Sequence, residues 1–127
     1  MNLQPSTKHS PRHEQKVLTD AEILLETFGL RSCLIVDEKR QIISAATRES
    51  ATFLQRLAEV APTMALLPEC RSLHTDYLRQ EKPELEEEEI SCSRFDIAGR
   101  RFFLCAHGPK CAEKEKELLR ALLSGIQ

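Results

Sequence analysis

A chain of 127 residues with 41% apolar and 30% charged residues has the make-up of one globular domain able to bury a real core. Its net charge of −2 provides no basic field to hold nucleic acid or an anionic membrane surface. No apolar run approaches the roughly 18–20 residues needed to span a bilayer, and the polar start MNLQPSTKHSPRHEQK lacks the apolar core of a secretory signal, so a cytoplasmic protein is expected.

Residues 1–16 are polar, hold two prolines and show no periodicity, and are expected to form a disordered tail. The ordered domain is expected over residues 17–108, with residues 109–127 as a C-terminal flanking helix. Thr19 or Asp20 can cap a first helix whose apolar positions Ala21, Leu24, Leu25 and Phe28 follow the i, i+3, i+4, i+7 spacing, with Gly29 as its stop. Cys33 to Asp37 and Gln41 to Ala45 then flank the polar turn Glu38-Lys39-Arg40, the pattern of an antiparallel hairpin.

Thr47 or Ser50 can cap the next helix, with Phe53, Leu57 and Val60 on one face and Pro62 expected to end or kink it. After an irregular stretch from Thr63 to Leu67, Pro68 starts another helix. There Cys70, Leu73, His74 and Tyr77 share one face, and Pro83 closes the segment. The acidic run from Glu84 to Glu89 predicts a solvated loop. Ile90 to Ile97 and Arg101 to His107 form a second hairpin around Ala98-Gly99-Arg100. A charged helix from Ala112 to Leu123 carries Leu118, Leu119, Leu122 and Leu123, which can cover the sheet or form a dimer seam. The order predicts an α+β fold: an antiparallel sheet, a block of short helices between two hairpins, and flanking N- and C-terminal helices.

Leu34-Ile35-Val36-Asp37 through Ile42-Ile43-Ser44-Ala45-Ala46, the run Leu66-Leu67-Pro68-Glu69 through His74-Thr75-Asp76-Tyr77-Leu78, and the Gly99-Arg100-Arg101 turn together resemble the PAS domain family over about residues 18–108. The family usually has five strands where four are legible here. The helix motif is closest to its haem-binding, oxygen-sensing members. That resemblance implies His74 as the axial iron ligand, Arg94 facing bound gas or a propionate, and Leu73 and Tyr77 lining the pocket. It also implies a homodimer, a ligand held between helices and sheet (haem or a small metabolite), and a separate effector protein to receive the signal.

A rival reading is a roadblock-like or longin-like scaffold, which runs helix, hairpin, helix, strands, helix and dimerises to hold or regulate small GTPases. Residues 47–83 discriminate: the scaffold wants one long helix there and a PAS domain several short ones. Five cysteines at irregular spacing predict free thiols. Cys105, His107 and Cys111, with Cys92 as a further donor, have the residue types of a zinc site but not its usual spacing; Cys70 and His74 could also clasp a metal. No Gly-rich loop, HExxH pattern or nucleophile with an orienting group is present, so an enzyme is not expected. A thiol-dependent enzyme would need one cysteine far more reactive than the other four.

Overall fold

Two interior strands organise the chain: β1 (Ser32–Asp37) lies against β4 (Arg100–His107), with β2 (Ile42–Thr47) outside β1 and β3 (Ile90–Ile97) outside β4. All three pairings are antiparallel, in the order β2-β1-β4-β3. This computed structural model describes residues 21–126. The expected tail over 1–16 and the cap at Thr19 or Asp20 lie outside those residues.

Because β1 and β4 are interior, their side chains alternate between two buried layers. Cys33, Ile35, Phe102, Leu104 and Ala106 enter one cluster; Leu34, Val36, Phe103 and Cys105 enter the other. The first cluster is closed by a helix over residues 21–28 (α1), through Ala21, Leu24 and Leu25, and by α4 (Glu115–Ile126), through Leu118 and Leu122. The second is closed by α2 (Ala51–Leu66) and by Leu78 of α3 (Arg71–Leu78). The α+β class, the four-stranded antiparallel sheet and the flanking helices are thus as expected.

Local chemistry accounts for the boundaries. Gly29 at φ 64° ends α1, and the Leu30 N–H returns to the Leu25 carbonyl at 2.9 Å, a Schellman closure that also seats Leu30 in the core. In the first hairpin the Asp37 carboxylate accepts from the N–H groups of Lys39 and Gln41 at 2.8 and 3.0 Å, while Arg40 takes φ 66°. In the second, Ala98 and Gly99 at φ 53° and 79° form the two-residue turn whose twist suits flanking strands. Ser50 caps α2 by accepting from the Phe53 N–H at 3.0 Å.

One expectation is corrected at Pro62. The helix neither ends nor is replaced there by an irregular piece; it runs on to Leu66, and Pro62 is itself buried within it. Loss of one intrahelical bond at proline costs about 3 kcal/mol. Continuation lets Phe53, Leu57, Ala58, Ala61 and Met64 lie as one stripe on the sheet, and each large apolar side chain so buried returns about 1.5–3 kcal/mol. Tertiary burial outweighs the local penalty.

The magnitudes make a testable contrast within this helix. Pro62→Ala regains the bond but loses ring burial and loosens the unfolded chain, so its stability is expected to stay within about 1 kcal/mol of the parent. Leu57→Ala, which empties a fully buried site on the same stripe, is expected to cost about 2–5 kcal/mol. Urea unfolding of both variants checks this; a loss at Pro62→Ala matching that of Leu57→Ala would contradict the helix described.

Candidate functional site

The residues expected around a haem do not converge. On α3 the fully buried positions are Thr75 and Leu78, while Leu73 is 69% exposed and cannot line a pocket. The reason is a satisfied hydroxyl: Thr75 Oγ1 donates to the Arg71 carbonyl at 2.8 Å, so threonine can enter the core and the Cys70, Leu73, His74, Tyr77 stripe turns to the rim. Tyr77 donates its phenol to the Glu59 carboxylate, and the Arg56 guanidinium stacks 5.0 Å above its ring. His74 is half-buried, with Nδ1 inaccessible and without a hydrogen-bond partner. Arg94 is exposed on β3 and pairs with Asp96 at 3.2 Å. The layer where a ligand would separate helices from sheet is filled by Phe53, Leu57, Met64, Leu78, Leu85 and Phe103.

The residues with the types of a zinc site are also divided. Cys105 lies in the α2 layer and Cys111 in the opposite one, on the far side of the sheet from each other. Among the described residues no group of three or more His, Cys, Asp or Glu side chains could hold a metal ion.

What the fold does bring together is a polar knot where the strand ends meet. Ser32 and Ile90 both lie opposite His107, and Ser32 lies opposite Thr47. The Ser32 and Thr47 hydroxyls bond at 2.8 Å, and Thr47 Oγ1 accepts from the Glu49 N–H at 2.9 Å. Glu49, its side chain 14% exposed, pairs with Arg31 and lies 3.5 Å from the Lys82 ammonium, which reaches Glu84 at 3.0 Å. His107 beside them is fully buried, its ring 5.0 Å from that of Phe53, and neither ring nitrogen has a hydrogen-bond partner.

The charges follow from these surroundings. Burial pushes the His107 imidazole down to about 4, with Glu49 opposing and Lys82 reinforcing the shift, so the ring is neutral near pH 7. Burial pushes the Glu49 carboxyl up, but the Arg31 hydrogen bond and the charges of Lys82 and Arg31 prevail and hold it below its usual value. The neutral imidazole packs against the ring of Phe53. Chemically the knot joins a paired carboxylate to a neutral, buried imidazole. Of its members only His107 stands out in the sequence, as a metal ligand; Arg31, Glu49 and Lys82 are scattered and carry no local signal.

The accessible features are clefts at the sheet edges. One of about 560 Å³ runs beside β3, between Ala65 of α2 and Glu113, Lys116 and Leu119, with Cys92, Ser93 and Arg94 also lining it. A mainly apolar one of about 420 Å³ is lined by Pro62, Leu66, Leu67 and Phe103, with Arg40 and Arg101 at its rim. No helix among the described residues is long and apolar enough to cross a membrane. Compared with known proteins, the chain matches no protein-family model, no curated protein and no solved structure.

The knot has a defined pH signature. His107 binds its proton more weakly folded than unfolded, so its contribution is intact above about pH 6.5 and is lost as pH falls towards 4. The loss is of the order of 2–3 kcal/mol, and the paired carboxylate of Glu49 adds a further loss below its usual range. Urea unfolding at pH 7, 5.5 and 4.5 measures it. His107→Leu, which cannot titrate, is expected to flatten the slope between pH 6.5 and 4.5; an unchanged slope would remove His107 from this role.

Proposed function

We propose that this chain is a non-enzymatic protein-interaction module that works as a homodimer, closer in build to the roadblock-like or longin-like scaffolds than to a ligand-binding PAS sensor. The observation that carries the reading is the continuous 16-residue helix α2, running through Pro62 on one face of the sheet while α1 and α4 cover the other. Residues 47–83 as a whole are not one continuous helix, since a 3-10 turn over Pro68–Cys70 and the eight-residue α3 follow α2, so it is the length of α2 itself that supports the scaffold reading. The filled layer between α2 and the sheet points the same way, since it leaves function to the surface. Small GTPases are the partner class that such a scaffold implies.

The surface best suited to self-association is the β3 edge. The opposite edge, β2, is six residues long and carries an extra residue, Ile43, where the register shifts opposite Ile35 and Val36, a device that blunts edge pairing; β3 is an eight-residue regular strand. Beside it Leu119 and Leu123 of α4 are only partly buried. Arg94 and Asp96 flank Phe95, so an antiparallel two-fold pairing centred on Phe95 sets each Arg94 against Asp96 of the second copy.

Analytical ultracentrifugation tests this reading. The full chain is expected to be a dimer at micromolar concentration. Arg94→Asp should weaken it by at least about tenfold through like-charge contact, and the swap Arg94→Asp with Asp96→Arg should restore it. A monomer at about 100 μM, or a swap no better than the single change, would defeat it.

A second reading, a PAS-like haem sensor signalling to a separate effector, is favoured by one feature, the inaccessible and unpartnered Nδ1 of His74. Its test is the visible spectrum after adding haemin. A sharp Soret band lost in His74→Ala would support it, and no band with either protein would end it.

A further inference from the structure

Cys92 of β3 and Cys105 of β4 lie directly opposite in the hairpin register, and their sulfur atoms are 2.6 Å apart. Residues facing each other across an antiparallel ladder have Cα atoms roughly 4.5–5.5 Å apart, inside the roughly 4.4–6.8 Å that a disulfide spans. Both side chains point into the same layer, and all five cysteines are reduced. The two differ in access. Cys105 is wholly enclosed on an interior strand, whereas Cys92, on the edge strand, forms part of the wall of the cleft beside β3. Met64 of α2 completes a group of three sulfurs, its Sδ 3.8 Å from the Cys92 sulfur.

We propose that Cys92 and Cys105 are a two-electron dithiol centre, at which a small hydroperoxide entering the β3 cleft is reduced and a cross-strand disulfide forms. The Cys92 sulfur, as thiolate, attacks one peroxide oxygen; the O–O bond breaks, and the departing hydroxide takes up the thiol's proton as water. Cys92 is left as a sulfenic acid. The Cys105 sulfur then attacks Cys92 sulfur, the S–O bond breaks, the S–S bond forms, and the second oxygen leaves as water with the Cys105 proton. In sum two thiols lose two electrons and two protons, and one hydrogen peroxide becomes two waters.

The division of roles follows from placement. Cys92 is assigned to meet the oxidant because it lies in the wall of the cleft, and Cys105 to resolve because it is wholly enclosed beside it. Burial and the neighbouring Cys92 hold the Cys105 thiol well above its ordinary value. Small size is required of the oxidant, since Cys92 itself is only 2% exposed. The product ties the β3 edge covalently to β4 without backbone displacement. The cleft shares Arg94 and Leu119 with the proposed dimer surface, so the oxidant enters it in the monomer.

The test treats the reduced, native full chain with equimolar hydrogen peroxide, quenches with acid, denatures, alkylates and weighs it. The free-thiol count is expected to fall from five to three. Tryptic peptides Gln80–Arg94 and Phe102–Lys110, which carry Cys92 and Cys105 separately, should be joined. In Cys105→Ser the reaction should stop at a Cys92 sulfenic acid that dimedone traps; if that variant does not fold, the peptide map of the parent chain decides alone. Five surviving thiols, a pairing of other cysteines, or cross-linking of two chains through the half-buried Cys70 would overturn the proposal.

Discussion

The pairing of β1 with β4 is the constraint on which the remaining structure depends. Both strands are interior, so from Ser32 to Val36 and from Phe102 to His107 each residue is enclosed on one face or the other. An antiparallel sheet with one solvated face could not tolerate this; two helical layers are required. Helix α2 supplies one, and α1 with α4 supplies the other. The same constraint creates the polar knot. Ser32 and His107 are the polar ends of the two interior strands, and being paired with each other they are buried together. Ser32 finds Thr47; His107 finds only the ring of Phe53 and the nearby charges of Glu49 and Lys82, and stays neutral.

Much of the architecture was legible from local chemistry, and the failures have identifiable causes. The hairpins could be read because alternating apolar runs flank turns with the right residues, Glu38-Lys39-Arg40 and Ala98-Gly99, and α1 could be read because Gly29 follows a clean apolar stripe. Pro62 misled because its local penalty is visible in the sequence while the offsetting burial on the sheet is not. The face of α3 misled for a related reason: Thr75 reads as polar, and only its bond back to Arg71 allows it inside. Arg31, Glu49, Lys82 and His107 meet only because four strand ends and two loops do, and no spacing announces that. The Cys92–Cys105 pair is different. The three-residue turn Ala98-Gly99-Arg100 expected from the sequence would set Cys92 opposite Ala106; Arg100 instead opens β4 opposite Ile97, and this one-residue change brings Cys92 opposite Cys105.

Function, on this reading, has moved from the interior to the rim. The space that a sensor would keep for a ligand is occupied by Phe53, Leu57, Met64 and Phe103, and the histidine expected to ligate iron stands at the edge of α3. What is left accessible is a regular strand edge with opposed charges, two half-covered leucines and a cleft with Cys92 in its wall. The proposed interaction surface and the cleft beside Cys92 overlap at Arg94 and Leu119, although the sulfurs face the α2 layer.

The β1–β4 ladder also dictates when the fold can form. Its contacts join residues between 65 positions apart, Asp37 with Phe102, and 75 apart, Ser32 with His107. The two hairpins and α2 can gather from near neighbours, but the sheet has no middle until the second hairpin swings onto the first. On the ribosome, β1 emerges with both faces apolar and waits for most of the remaining chain to be made before its true neighbour arrives. That interval leaves a hydrophobic strand edge unpaired, the situation in which long-range β pairing slows folding.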